Sequence, residues 1–233
     1  MPTSVEQTEK NPSDPDRAPS RPALGARAVV ELLRINQPAR IPAEFSVREH
    51  RRPAALKSLL QLLTYFQKRI SKSPYANASV LSLMTNYLIE KGERLEIARP
   101  DLGAIFLVDR LFDELLNSEK FDKEAWGLIS RIRFPITKFA LQDFSFFFAP
   151  QNIGRRLLNT VTLHLLGSAE QRKGEVRTTI SLFVDRLNME YIGQISQFNS
   201  VCIETQSYFA SHQKRLNKLQ TRISQVESPE RKK

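Results

Sequence analysis

The chain has 233 residues, 41% of them hydrophobic, and 35 Lys and Arg residues against 25 Asp and Glu residues give it a formal charge of +10. This hydrophobic content supports one globular domain with tails, and the positive charge favours acidic partners. A lone cysteine excludes an intramolecular disulfide, and the lack of a signal-peptide core or of an apolar run of about 20 residues indicates a cytoplasmic protein with no membrane span.

Residues 1–52 are predicted to form a disordered tail. The part up to about residue 21 is rich in Pro, Ser, Asp and Glu and has almost no large apolar side chain, so burial cannot offset the entropy of ordering it. A short amphipathic helix is expected near residues 23–34, before Pro38 and Pro42 interrupt the pattern. That helix could be transient or could serve as a docking element.

A helical bundle is predicted over residues 53–211, where apolar residues recur at helical spacing between residues that favour helix ends. The expected starts and stops are Pro53, Gly92, Asp101, Asp122, Asn152 and Gly167. Pro135 is expected to kink or break the helix that carries Trp126 and Ile129, because proline lacks the backbone donor of a helix interior.

The last helix is predicted from about Gln194 to Ser224. Its first half carries Phe198, Cys202 and Phe209, whereas residues 212–233 form a basic helical extension and tail that we expect to project from the bundle. The candidate contacts for an anionic partner on this extension are Lys214, Arg215, Lys218 and Arg222. The predicted fold class is all-α: a bundle of about six to eight helices with a long C-terminal helix and a disordered N-terminal tail.

The stretch from Ser130 to Asn159 is the most informative part of the sequence, and it identifies a family better than a chemistry. Its candidate interaction or structural residues are Arg131, Arg133, Lys138, Asp143, Arg155 and Arg156. One interpretation is a basic ridge that holds phosphate or carboxylate through charge-assisted hydrogen bonds. The interpretation we favour is that Asp143 accepts one or both arginines of the Arg155–Arg156 pair and so fixes the aromatic segment.

The same stretch contains an aromatic cluster, formed by Phe144, Phe146, Phe147 and Phe148. These rings could stack on bases, but neighbouring positions cannot all point one way, and core packing is the favoured interpretation. His164 lies among apolar residues and is expected to be a core or interface histidine. No residues have the spacing of a catalytic, cofactor-binding or metal site, so we predict that the protein is not an enzyme and has no cofactor.

Three segments carry a resemblance to a known family: LFDEL from Leu111, LISRIRFPITKFALQDFSFFF from Leu128, and GRRLLN from Gly154. In order and spacing, the chain from Asp101 to about Phe209 resembles the bacterial family of domain of unknown function 1631 (DUF1631). Typical members are much longer and some end in a cyclic-di-GMP-binding PilZ domain, so the resemblance implies a short bacterial member without a PilZ domain.

These observations predict a non-enzymatic helical adaptor or regulatory interaction module that acts through a protein partner. The alternative is a nucleic-acid-binding protein that uses the basic C-terminal helix. A homo-oligomer is also open, because a helical face with surplus apolar residues could close the bundle or form a dimer.

Overall fold

The structure is a computed structural model that describes residues 31, 38, 40–70, 78–117, 120–167 and 173–227. The elements in chain order are β1 (Phe45–Arg48), α1 (Pro53–Ile70), α2 (Val80–Lys91), β2 (Leu95–Ala98), α3 (Arg99–Leu116), α4 (Lys123–Arg131), α5 (Arg133–Gln142), a 3₁₀ helix (Phe144–Phe147), α6 (Ile153–Gly167), α7 (Lys173–Glu190) and α8 (Ile195–Glu227). The all-α helical bundle is confirmed. Apart from Glu31, the predicted helix near residues 23–34 lies outside the described residues, as does most of the predicted disordered tail.

The two short strands were not predicted. They pair in parallel, with Phe45 opposite Leu95 and Arg48 opposite Ala98. Residues 1–52 were predicted to form a disordered tail. Phe45 is buried, so the segment Phe45–Arg48 belongs to the fold instead. The sequence did not reveal these strands because each has only four residues, too few for a recognisable alternation of apolar and polar side chains. Their pairing also joins segments that are far apart in the chain.

Most predicted helix ends are confirmed. Gly92 ends α2 with a φ of 64°, and the side-chain oxygens of Asp122 and Asn152 accept backbone N–H groups in the first turns of α4 and α6. The prediction for Asp101 was wrong, because α3 begins at Arg99 and Asp101 is buried inside its first turn. There the carboxylate forms an ion pair with Arg51, so it ties a distant segment to α3 instead of capping the helix.

The predicted interruption near Pro135 separates α4 from α5. The break itself falls at Ile132, and Pro135 lies in the first turn of α5, where no intrahelical donor is needed. Every residue from Arg133 to Leu141 is buried. The longest of the three segments that resemble the family therefore contains the central helix of the bundle.

Two hydrophobic clusters pack on different faces of α5. Phe134 and Leu141 join a cluster built from the strands, α1, α2 and the first half of α3. Ile136 and Phe139 join the second cluster, which contains residues of α4, α6, α7 and the first half of α8. Helix α5 thus contributes buried side chains to both hydrophobic clusters and joins them.

Candidate functional site

Arg133 lies inside the protein and does not form part of a surface ridge. Its side chain is 1% exposed, and its guanidinium donates to the Asp113 carboxylate at 3.0 Å and to the Ala78 carbonyl at 3.0 Å. Asp109 lies 3.9 Å away, and the ring of Phe112 faces the guanidinium with its centroid at 5.4 Å. The carboxylates of α3 therefore neutralise this buried cation and the Phe112 ring packs against it, while the buried Nε has no hydrogen-bond partner among the described residues.

Asp109 is the least expected member of this cluster. Its carboxylate accepts the backbone N–H groups of Val80 at 2.8 Å and Leu81 at 3.0 Å, at the beginning of α2. Burial raises its pKa to about 6, against the lowering effect of these hydrogen bonds and of Arg133. The sequence held one signal, since Asp109 lies four residues after Ile105 on the apolar stripe of α3, where a carboxylate requires partners.

Lys138 is also fully buried. Its Nζ donates to the Tyr191 carbonyl at 2.6 Å and to the Thr64 hydroxyl at 3.1 Å, and it lies 4.4 Å from the centroid of the Tyr191 ring. No described carboxylate forms an ion pair with it. Burial, reinforced by the positive charge of Lys68, lowers the pKa of Lys138 to about 7.

The polar groups around Lys138 form a hydrogen-bonded cluster that joins α1 and α5 to the end of α7. The Gln67 amide donates to the carbonyls of Asn188 at 2.8 Å and Tyr191 at 3.1 Å, and the Gln142 amide donates to the Tyr191 hydroxyl at 2.6 Å. These carbonyls lie at the C-terminal end of α7, where helices leave acceptors without intrahelical partners. Donors from α1 and α5 therefore hold the end of α7, and the cluster is structural.

Arg131, another residue of the predicted basic ridge, is neutralised by a carboxylate. It forms an ion pair with Asp185 of α7, and its side chain is 21% exposed. Because Arg133 and Lys138 are buried and Arg131 is neutralised, these residues do not present a joint cationic surface with Arg155 and Arg156. The ridge interpretation is not supported by the geometry.

The favoured partner of Asp143 was also predicted incorrectly. Its carboxylate accepts the Ser145 backbone N–H at 3.0 Å and the Asn152 side-chain amide at 3.0 Å, and neither arginine contacts it. Asn152 also donates to the Ser145 hydroxyl at 2.8 Å. A neutral amide in the loop before α6 therefore fixes the aromatic segment, because it reaches Asp143 and caps α6 at the same time.

The aromatic cluster packs mainly into the core, as favoured from the sequence. Phe146 is buried, Phe144 and Phe147 are partly buried, and Phe148 is 38% exposed. The Arg51 guanidinium lies 4.6 Å from the centroid of the Phe144 ring. The rings therefore do not form an exposed platform for stacked bases.

The two arginines of α6 have different environments. Arg155 is partly buried and borders a surface pocket of about 320 Å³, whereas Arg156 is exposed. No described acidic residue forms an ion pair with either side chain. They are thus the two members of the predicted set that remain available to an external anion.

The predicted contacts on the C-terminal helix lie on its exposed end. Lys214, Arg215, Lys218 and Arg222 are all exposed, and no ion pair joins them to another described residue. Among the α8 residues whose side chains are described, the last buried one is Phe209. The helix therefore continues past its packed half as a basic segment.

The remaining candidate side chains, Cys202 and His164, pack within the protein. Cys202 is buried, which raises the pKa of its thiol, and the His164 ring packs against Phe209 with centroids 4.0 Å apart. Within the described ranges no cluster of His, Cys, Asp or Glu could hold a metal ion. The helices of the described part also include none that is both long and apolar enough to cross a membrane.

The packed helices, the buried charged clusters and the exposed basic helix define an all-α protein. The family model of the second domain of the protein of unknown function DUF1631 matches residues 52–194. The chain belongs to this family. No curated protein and no solved structure matches it.

Proposed function

We propose that this protein is a non-enzymatic interaction module that binds a protein partner through the basic end of α8. The observation that carries the proposal is the grouping of exposed, unpaired cations on one helix between Lys214 and Arg222. In the body, Arg131, Arg133 and Arg186 are neutralised by carboxylates. On α8, four exposed cations have no ion-pair partner among the described residues.

The spacing of these cations places them along one side of the helix. Lys214, Lys218 and Arg222 follow one another at intervals of four residues, and Arg215 lies three residues before Lys218. Residues three and four apart are neighbours on a helix surface. The segment therefore offers a continuous basic stripe to an acidic surface, with electrostatic attraction that salt weakens.

A protein surface is a better partner than nucleic acid because of the composition of this stripe. No aromatic residue occurs between Lys214 and Arg222, whereas surfaces that bind single-stranded nucleic acid usually combine cations with aromatic side chains. The partner we propose is thus a protein that presents a row of Asp and Glu side chains.

The experiment is a pull-down with three forms of the full chain at low and high salt, with and without nuclease. The first form is unchanged, and the second carries Gln at positions 214, 215, 218 and 222. The third is a control that loses the same charge from the body, with Gln at the exposed positions Lys57, Arg94, Arg110 and Lys123.

We expect an acidic protein that survives nuclease, binds the unchanged and control forms, and is lost from the α8 variant. Direct binding of that purified protein, with the same ranking of the three forms, must follow. Recovery of nucleic acid that nuclease removes would overturn the proposal in favour of nucleic-acid binding. Equal losses in both charge variants would show that net charge alone drives capture.

A further inference from the structure

The surface pocket beside Arg155 lies between α3, the 3₁₀ helix and α6. It has a volume of about 320 Å³, at the lower end of the range for small-molecule sites. The residues that line it are Leu107, Leu111, Phe146, Phe147, Arg155, Leu158 and Asn159. The lining is thus mainly apolar, with one cation and one amide.

Arg155 differs from the other arginines that are buried or partly buried in the described residues. Each of the others forms an ion pair with a carboxylate; they are Arg51, Arg99, Arg131, Arg133, Arg177 and Arg186. The Arg155 guanidinium has no carboxylate partner among the described residues. A partly desolvated guanidinium without an acceptor is unfavourable, and an external anion would relieve this.

The backbone around Arg155 does not compete for that anion. The Asn152 side chain already accepts the N–H groups of Gly154 at 2.9 Å and Arg155 at 3.3 Å. No acidic residue lies in the first turn of α6. The guanidinium is therefore the group at this end of α6 that can bind the ligand's charge.

We propose that this pocket binds a small amphipathic carboxylate, whose apolar body contacts the leucine and phenylalanine side chains and whose carboxylate pairs with Arg155. Asn159 at the rim donates a further hydrogen bond from its amide. This site is separate from the basic stripe of α8, and binding here does not depend on the partner proposed above.

The test is an NMR titration of the full chain, labelled at leucine methyl groups, with decanoate below its micelle concentration. Decanol is the matched uncharged ligand. Arg155→Gln removes the proposed partner of the carboxylate, and Arg156→Gln removes the same charge one position away on an exposed side chain. The methyl spectrum of each variant also reports whether the fold is intact.

We expect saturable shifts of the Leu107, Leu111 and Leu158 methyl groups with decanoate. The R155Q variant should bind decanoate at least about tenfold more weakly and decanol unchanged, while R156Q should bind both as the unchanged chain does. No saturation at millimolar decanoate, equal affinity for decanoate and decanol, or equal losses in the two variants would each overturn the proposal.

Discussion

Replacing Lys138 with methionine should change how the stability of the protein depends on pH. The folded protein releases the Lys138 proton near its pKa of about 7, whereas in the unfolded chain the pKa is near 10.5. Between these values the unfolded state binds more protons, so stability rises with pH. Below pH 7 the folded state keeps a buried charge, and the Lys138 contribution is at its least favourable.

The expected size follows from these two pKa values. As the pH rises from about 6.5 to about 9.5, the titration of Lys138 raises the free energy of unfolding by about 3 kcal/mol in total. The slope is about 1.4 kcal/mol per pH unit over most of that range. In K138M this contribution is absent. The Tyr191 carbonyl keeps the hydrogen bond from Gln67 at 3.1 Å, so the substitution does not leave it without a donor.

The assay is urea unfolding, followed by far-UV circular dichroism, of the unchanged chain, K138M and K57M at several pH values in that range. Lys57 is exposed on α1 and serves as the control. The stability of K138M relative to the unchanged chain should fall by about 3 kcal/mol as the pH rises, and that of K57M should stay constant. A constant difference for K138M would refute the argument that burial shifts this lysine.

Three further predictions concern stability and can be checked by urea unfolding. Gly154→Ala should destabilise by about 1–3 kcal/mol, because the new Cβ would lie 2.8 Å from the Phe139 ring, while the control Gly127→Ala, with open space around it, should stabilise by about 0.5–1 kcal/mol. Arg133→Leu should cost about 3–5 kcal/mol, since the buried Asp109 carboxylate loses the cation that lies 3.9 Å from it; a loss below about 1 kcal/mol would contradict the role given to this arginine. Asp122→Ala should cost about 1 kcal/mol through loss of the α4 cap, and Asp122→Asn should retain most of the stability.

Local features of the sequence determined where many helices begin and end. Asp122, Asn152 and Gly92 act through backbone groups of their own or adjacent turns, so the residue type and its neighbours were enough to place them. Asp101 looked equivalent in sequence. Its partner, Arg51, lies fifty positions earlier, and only the tertiary structure shows that pairing.

The candidate site illustrates the same division. The sequence identified the charged residues between Ser130 and Asn159 but could not separate those that are buried from those that face solvent. Lys138 finds its acceptor 53 residues away at Tyr191, and Asp113 lies 20 residues before Arg133. Arg155 stands out only when the partners of all the other partly buried arginines are known. Helical periodicity and capping are local and can be read from the chain, whereas the neutralisation of a charge depends on which distant groups the fold brings to it.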